Sequence, residues 1–128
     1  MAPVLNKGVF LLSLDTELAW GGVHDGSYRA RQELFGHTRD AIGKLVGLLE
    51  RYDIRATWAV VGHLFLDRCE PINDMKHPEI VRPAYSWSDG DWFQNDPCTN
   101  AAAAPFWYAP DVVETVLGCR TPQEVGCH

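Results

Sequence analysis

Two acidic residues, Asp15 and Glu17, stand directly behind an almost unbroken apolar run at residues 9–14. On an extended chain, residues two apart point the same way, so both carboxylates would share one side at the end of a strand. In α/β folds, ligands and chemistry lie at this carboxyl end of the strands. A strand followed by a solvated acidic turn explains the same nine residues without any function.

The elements around this pair predict an α/β fold. Residues 9–14 show no alternation, which is typical of a strand buried on both faces of a parallel sheet. Residues 38–52 follow a helical period, with Thr38 as a plausible N-cap. A second apolar run at residues 56–62 then completes a strand–helix–strand unit, so we expect two parallel strands with a right-handed crossover. The predicted inner face of the helix consists of Ile42, Leu45, Val46 and Leu49.

The end of the chain predicts one more helix and one more strand. Pro110 suits the first position of a helix over residues 110–117, which Gly118 would stop. Residues 124–128 then indicate a third strand. A sheet that ends on an uncovered strand favours association with other chains. We therefore expect residues 1–128 to form a single, truncated domain.

A long insertion, residues 63–110, separates the second strand from this last helix. A structureless loop of this length is unusual in a compact domain unless it serves a function. The insertion is rich in proline and in aromatic residues, and the aromatic residues disfavour disorder. Aromatic faces stack on sugar rings, and they also pin large loops by packing. We consider Trp87, Trp92 and Trp107 as candidate substrate contacts, with packing as the alternative. His63 follows the second strand, where a functional histidine or a packing histidine are both expected.

Composition and charge exclude several classes of partner. The net charge of -6 and the lack of a Lys/Arg cluster argue against nucleic acid and against an anionic membrane surface. No segment approaches the roughly 18 apolar residues of a membrane span. Residues 1–8 lack the features of a signal peptide, so we predict a cytoplasmic protein. The four cysteines show no C-x-x-C spacing, and free thiols are expected, with a Cys69–Cys98 disulfide as the alternative in an oxidising setting.

Three segments carry a resemblance to a known family. Residues 14–21 (LDTELAWG), 56–62 (ATWAVVG) and 124–128 (EVGCH) resemble, in this order, the first half of a polysaccharide deacetylase (NodB-homology) domain. The first segment is similar to the family's acidic motif in its Asp-x-Glu form. The second is similar to an Ala-Thr-Phe-Phe-x-x-Gly strand, and the third to the lead-in of a His-x-x-x-His metal motif.

The resemblance implies a fold, an activity and roles for three residues. The fold would be the N-terminal part of a distorted parallel (β/α) barrel, and the activity metal-dependent removal of acetyl groups from N- or O-acetylated sugars. Asp15 would be the general base, while Glu17 and His128 would bind a divalent metal, with Zn²⁺ the first choice. A second histidine ligand would follow four positions after His128, so residues 1–128 alone are expected to be inactive.

Two other functions stay open. The aromatic insertion also suits a non-catalytic carbohydrate-binding or scaffold remnant, and some relatives of the family would hydrolyse a non-sugar amide instead. For the enzyme, we expect Asp15, Glu17 and His128 to converge at the carboxyl ends of the strands. We also expect residues 63–110 to be ordered over that same end of the sheet.

Overall fold

Three short parallel strands form the sheet that positions the site. In the computed structural model, which describes residues 7–87 and 90–128, the strands are β1 (Ser13–Thr16), β2 (Thr57–Val60) and β3 (Glu124–Cys127). They lie in the order β1-β2-β3, and all three begin and end at the same level. Their carboxyl ends therefore meet at one edge. The chain is mixed α/β, as predicted, with two α-helices, α1 (Gln32–Arg51) and α2 (Pro110–Leu117). Three 3₁₀ helices complete the regular structure at Leu18–Gly22, Ser27–Arg29 and Gly62–Phe65.

Both α-helices pack on the same face of the sheet. Trp58 and Val60 lie two apart on β2 and therefore point to the same face. Each is only 2% exposed, because it packs under the apolar stripes of both helices. The opposite face carries Asp15, Ala59 and Gly126, which are neighbours in register and are partly or fully exposed. In the described part of the chain, the sheet is thus covered by helices on one side.

The apolar run before β1 is not buried on both faces, so this prediction is wrong. Val9, Phe10 and Leu11 are exposed, and Phe10 keeps 83% of its surface. The reason is the register: β2 begins opposite Ser13, so the strand ladder does not extend to residues 9–11. Leu12 contributes one hydrogen bond, as its carbonyl accepts from the Thr57 N–H.

The helix predictions are confirmed for the buried faces and less well for the boundaries. Ile42, Val46 and Leu49 are buried on α1, but the helix begins at Gln32, six residues before the predicted N-cap Thr38. Gln32, Glu33 and Leu34 are good helix formers, and they begin α1 before the apolar period. The bounds of α2 agree with the prediction, and its inner face is buried except at Leu117, which is exposed.

An ion pair joins the two α-helices. Arg39 on α1 donates two hydrogen bonds to Asp111 in the first turn of α2, at 2.6 and 3.0 Å. These bonds lower the pKa of the Asp111 carboxyl below its usual range, because they favour its charged form. A pair this exposed adds little to stability but fixes how the helices meet.

The insertion is held by its own core and by a disulfide. Tyr108, Trp107 and Ala19 are buried together in a second apolar cluster. Cys69 and Cys98 are bonded, with sulfurs 2.02 Å apart, so the expectation of free thiols is wrong for this pair and its alternative is confirmed. The two cysteines meet because the Cys69 N–H donates to the carbonyl of the residue after Cys98. Disulfides are characteristic of oxidising compartments, so this pair weighs against the predicted cytoplasmic location, which stays a prediction.

Across residues 7–87 and 90–128, no helix combines the length and the apolar character that crossing a bilayer requires.

Candidate functional site

A carboxylate and an imidazole meet at the carboxyl edge of the sheet. Glu17 directly follows β1 and His128 directly follows β3, while β2 lies between them. Their side chains nevertheless bridge the end of β2, with Glu17 Oε1 and His128 Nε2 2.5 Å apart. The His128 N–H donates to the Val60 carbonyl, which extends the ladder by one bond and fixes the imidazole over this edge. Both side chains keep more than a third of their surface exposed.

A tight turn holds the Glu17 carboxylate in this position. Leu18 adopts a left-handed φ of 49°, which turns the chain into a 3₁₀ helix immediately after Glu17. The turn brings Gly21 against the glutamate, so a Cβ at position 21 would lie 2.2 Å from Glu17 Oε2. Only a glycine fits under the carboxylate in this arrangement. The local structure therefore explains why a glycine stands at position 21, the last residue of the first segment that resembles the family.

Asp15 lies at the same edge but on the open face of the sheet. Its partner in register on β2 is Ala59, which in turn pairs with Gly126 on β3, so the residues beside it on this face are small. Asp15 and Glu17 both line a groove of about 440 Å³. The predicted convergence is confirmed for Glu17 and His128. Within residues 7–87 and 90–128, however, Asp15 does not join them in a group of three metal-type ligands.

A larger cleft opens on the His128 side. It has a volume of about 760 Å³, within the range of small-molecule sites, and Trp87 and Trp92 from the insertion line it together with His128. The described part of the insertion therefore lies over the carboxyl ends of the strands, as expected. The remaining lining residues are Trp20, Val23, His24, Val61, Asp91, Gln94 and Asn95.

Trp107 does not share this position, which corrects its predicted substrate contact. Its side chain is 9% exposed and packs edge-on against Trp20 and Tyr28 in the second core. It is not among the residues that line the cleft. Because its carbonyl accepts hydrogen bonds from Trp20 Nε1 and His63 Nδ1, Trp107 organises the wall behind the cleft.

A second cluster of polar side chains is buried inside the insertion. His63, His77 and Asp96 place one potential ligand atom each within 4.8 Å of the others, so this group could hold a metal ion. Asp96 Oδ2 lies 2.9 Å from His63 Nε2 and 2.8 Å from His77 Nε2. The two imidazole nitrogens are 3.1 Å apart. All three residues are buried.

Asp96 is the centre of this cluster. Burial alone would raise the pKa of its carboxyl, but hydrogen bonds from His63, Tyr108 and the Cys98 N–H outweigh that effect and lower the pKa well below the usual range. Tyr108 donates its hydroxyl to Asp96 Oδ1 at 2.7 Å. Burial and this neighbouring carboxylate raise the pKa of Tyr108, so the phenol stays a donor.

Sequence reasoning noted His63 for its position after a strand, but it missed His77 and Asp96. Their spacings of 14 and 19 residues match no compact metal motif, and both lie in irregular, proline-rich sequence. Because a folded loop brings the three together, the only available signal was the position of His63. Composition alone does not distinguish His77 and Asp96 from the other polar residues of the insertion.

Comparison of the chain with family models, with curated proteins and with solved structures found no match. Any function of this chain is therefore inferred from its residues and from the geometry of the two clusters.

Proposed function

We propose that the chain is part of a metal-dependent hydrolase that removes acetyl groups from amino sugars, with its active site at the carboxyl edge of the sheet. The observation that carries this proposal is the Glu17–His128 pair, a carboxylate and an imidazole 2.5 Å apart beside a cleft. The two residues are 111 positions apart in sequence, and the parallel strands together with the turn after Glu17 bring them into contact. The sequential strand order and the helices on one face also suit the start of a (β/α) barrel.

The donor atoms fit zinc in kind. Zinc takes imidazole nitrogen and carboxylate oxygen, and a catalytic site uses three protein ligands with one open position. Glu17 and His128 provide two, and the resemblance implies a further histidine after His128. When bound, zinc would polarise the acetyl carbonyl and make the attacking water more acidic.

Asp15 suits the role of general base. Its carboxylate lies on the open face of β1, two residues before Glu17, and it is exposed to solvent. A carboxylate in this position can accept a proton from the attacking water, while Glu17 and His128 would hold the metal. Asp15 and Glu17 line the same groove, so the proposed base and the proposed metal ligand open onto one space.

The cleft suits a sugar. Tyr85 and Trp87 stack with ring centroids 5.2 Å apart and an angle of 12° between their planes, and Trp92 meets both rings edge-on. Tyr85 and Trp87 remain largely exposed, although large aromatic rings are usually covered. Exposed aromatic faces beside a cleft favour a ligand with flat apolar faces, such as a pyranose ring.

Acetate release from oligomers of N-acetylglucosamine, measured together with metal content, tests the proposal. The assay uses the native protein, including any sequence that follows His128 in the gene. Asp15→Asn is expected to keep its metal and to lose turnover by roughly 10²–10⁴-fold, because it removes a base. Glu17→Ala is expected to lose metal at this site and activity together. Full turnover in Asp15→Asn would contradict the proposed mechanism.

The exposed aromatic group also supports a second candidate, a non-catalytic sugar-binding module. That module would bind the same oligomers without releasing acetate, and its affinity would depend on Trp87 and Trp92 but not on Asp15. A non-sugar amidohydrolase would show the opposite result, with metal-dependent activity on simple amides and no response to the oligomers.

A further inference from the structure

We propose that His63, His77 and Asp96 form a second metal site, which binds a divalent transition-metal ion such as Zn²⁺ and fixes the fold of the insertion. The site shares no residue with the Glu17–His128 pair. It belongs to residues 63–110, which contain little regular structure, and its ligands come from three separate places in that segment.

The hydrogen atoms available in the cluster do not satisfy its contacts. A carbonyl only accepts, so His63 Nδ1, 3.0 Å from the Trp107 carbonyl, must carry a hydrogen. A neutral His63 then presents the lone pair of Nε2 to the Asp96 carboxylate at 2.9 Å, and two acceptors face each other. If His63 Nε2 carries a hydrogen instead, it can donate to Asp96. His77 Nε2 also needs a hydrogen to donate to Asp96, so two N–H groups then lie against each other, with their nitrogens 3.1 Å apart.

A cation removes this conflict. The three facing atoms, one oxygen and two nitrogens, are separated by 2.8, 2.9 and 3.1 Å. Zinc binds nitrogen and oxygen ligands at about 2.0–2.2 Å, so an ion just above the plane of this triangle reaches all three. All three lone pairs then point to one positive charge. Two imidazoles and one carboxylate are also ligands that zinc and related first-row metals prefer.

The surroundings resemble the outer shell of a metal site. A metal-bound histidine usually donates its other ring N–H to a carbonyl or a carboxylate, as His63 does to Trp107. The second oxygen of Asp96 accepts from Tyr108 and from the Cys98 N–H, at 2.7 and 2.9 Å, which fixes the carboxylate. His77 is held with a left-handed φ of 48°, a conformation that needs support from its surroundings.

The position of the site explains how an irregular segment becomes ordered. The ion would tie residues 63, 77 and 96 together, while the disulfide closes the overlapping loop from Cys69 to Cys98. His63 also lines a cavity of about 430 Å³, mostly walled by apolar side chains, from which a water could complete the coordination. The same segment carries Trp87 and Trp92, so the ion would fix the wall of the cleft.

The experiment is metal titration of the native protein and of three variants, first stripped with a chelator. The probes are Zn²⁺, followed by thermal unfolding, and Co²⁺, followed by its visible absorption. Asp96→Asn keeps the shape of the side chain and an oxygen for Tyr108 but replaces a ligand oxygen with an amide nitrogen. Glu17→Ala removes the strand-end ligand, and His37→Gln changes an exposed histidine on α1 as a matched control.

We expect zinc to raise the unfolding temperature of the native protein and of His37→Gln, and still to raise that of Glu17→Ala, which keeps this site. In Asp96→Asn, zinc affinity at this site should fall by more than about 100-fold, since even outer-shell changes cost 10–100-fold. The Co²⁺ spectrum of this site should persist in Glu17→Ala and disappear in Asp96→Asn. If Asp96→Asn does not fold, His77→Gln serves as the second variant, with the same expected loss.

Two results would overturn the inference. One is a chelated native protein whose unfolding temperature does not respond to zinc. The other is a zinc response and a Co²⁺ spectrum that are equal in Asp96→Asn and in the native protein. These readouts do not depend on acetate release, so the second metal site can stand if the proposed deacetylase activity fails, and the reverse also holds.

Discussion

Replacing Gly21 by alanine should separate catalysis from stability. The added Cβ would lie 2.2 Å from Glu17 Oε2, whereas ordinary contacts of a Cβ begin at 3.4 Å. The carboxylate must therefore retreat by about 1 Å, and a misplacement of this size in a catalytic group can cost about 10²-fold in rate. The Glu17–His128 contact of 2.5 Å would be lost in the same movement. We expect acetate release by Gly21→Ala to fall by about 100-fold.

The stability of this variant should hardly change. The Glu17–His128 pair is more than a third exposed, and exposed pairs contribute at most about 1 kcal/mol. Alanine also restricts the unfolded chain, which stabilises the folded state by about 0.4–1 kcal/mol. Gly43→Ala is the matched control: it lies inside α1, its Cβ would meet open space, and it should stabilise the fold by about 1 kcal/mol.

The assay combines acetate release with urea unfolding for both variants. Gly43→Ala should keep full turnover, while Gly21→Ala should lose turnover at nearly unchanged unfolding free energy. Native turnover in Gly21→Ala would show that the position of Glu17 does not matter for the reaction. A loss of several kcal/mol in Gly21→Ala would instead show that the turn is structural, and the catalytic argument would fail.

Two further predictions concern the cross-links of the fold. The disulfide closes a loop with a sequence separation of 29, so the double variant Cys69→Ser/Cys98→Ser should lose about 3.5 kcal/mol of unfolding free energy in urea, whereas Cys127→Ser should change little. Since Arg39 lowers the pKa of Asp111, the pair stabilises the fold above the pKa of an unfolded aspartate, about 3.9, and this contribution fades as the pH falls below it. The stability difference between the native protein and Asp111→Asn should therefore shrink from pH 6 to pH 3, as measured by thermal unfolding.

Opposite results would contradict these two arguments. Equal unfolding free energies for the double cysteine variant and for Cys127→Ser would show that the bond does not restrict the unfolded chain. A stability difference for Asp111→Asn that grows toward pH 3 would have the wrong sign for a carboxyl whose pKa is lowered in the folded state.

The buried face of α1 was predictable because it depends on local period, whereas the prediction that the first strand is buried on both faces was wrong. Ile42, Val46 and Leu49 recur at helical spacing, and their burial on α1 follows from that spacing. The edge position of Glu17 and His128 was also predictable, because parallel strands place their carboxyl ends together. The exposure of residues 9–11 was not, since it depends on where the partner strand begins.

The sequence by itself determined that two acids and a histidine lie at the carboxyl ends of strands, because a short-range pattern encodes this placement. Only the tertiary structure decided that the Glu17 carboxylate crosses the end of β2 to His128, and that a turn over Gly21 fixes it there. It also decided that His77 and Asp96 face His63. The physical reason is that irregular loops have no period: their side chains meet through contacts between residues distant in sequence, which no local pattern records.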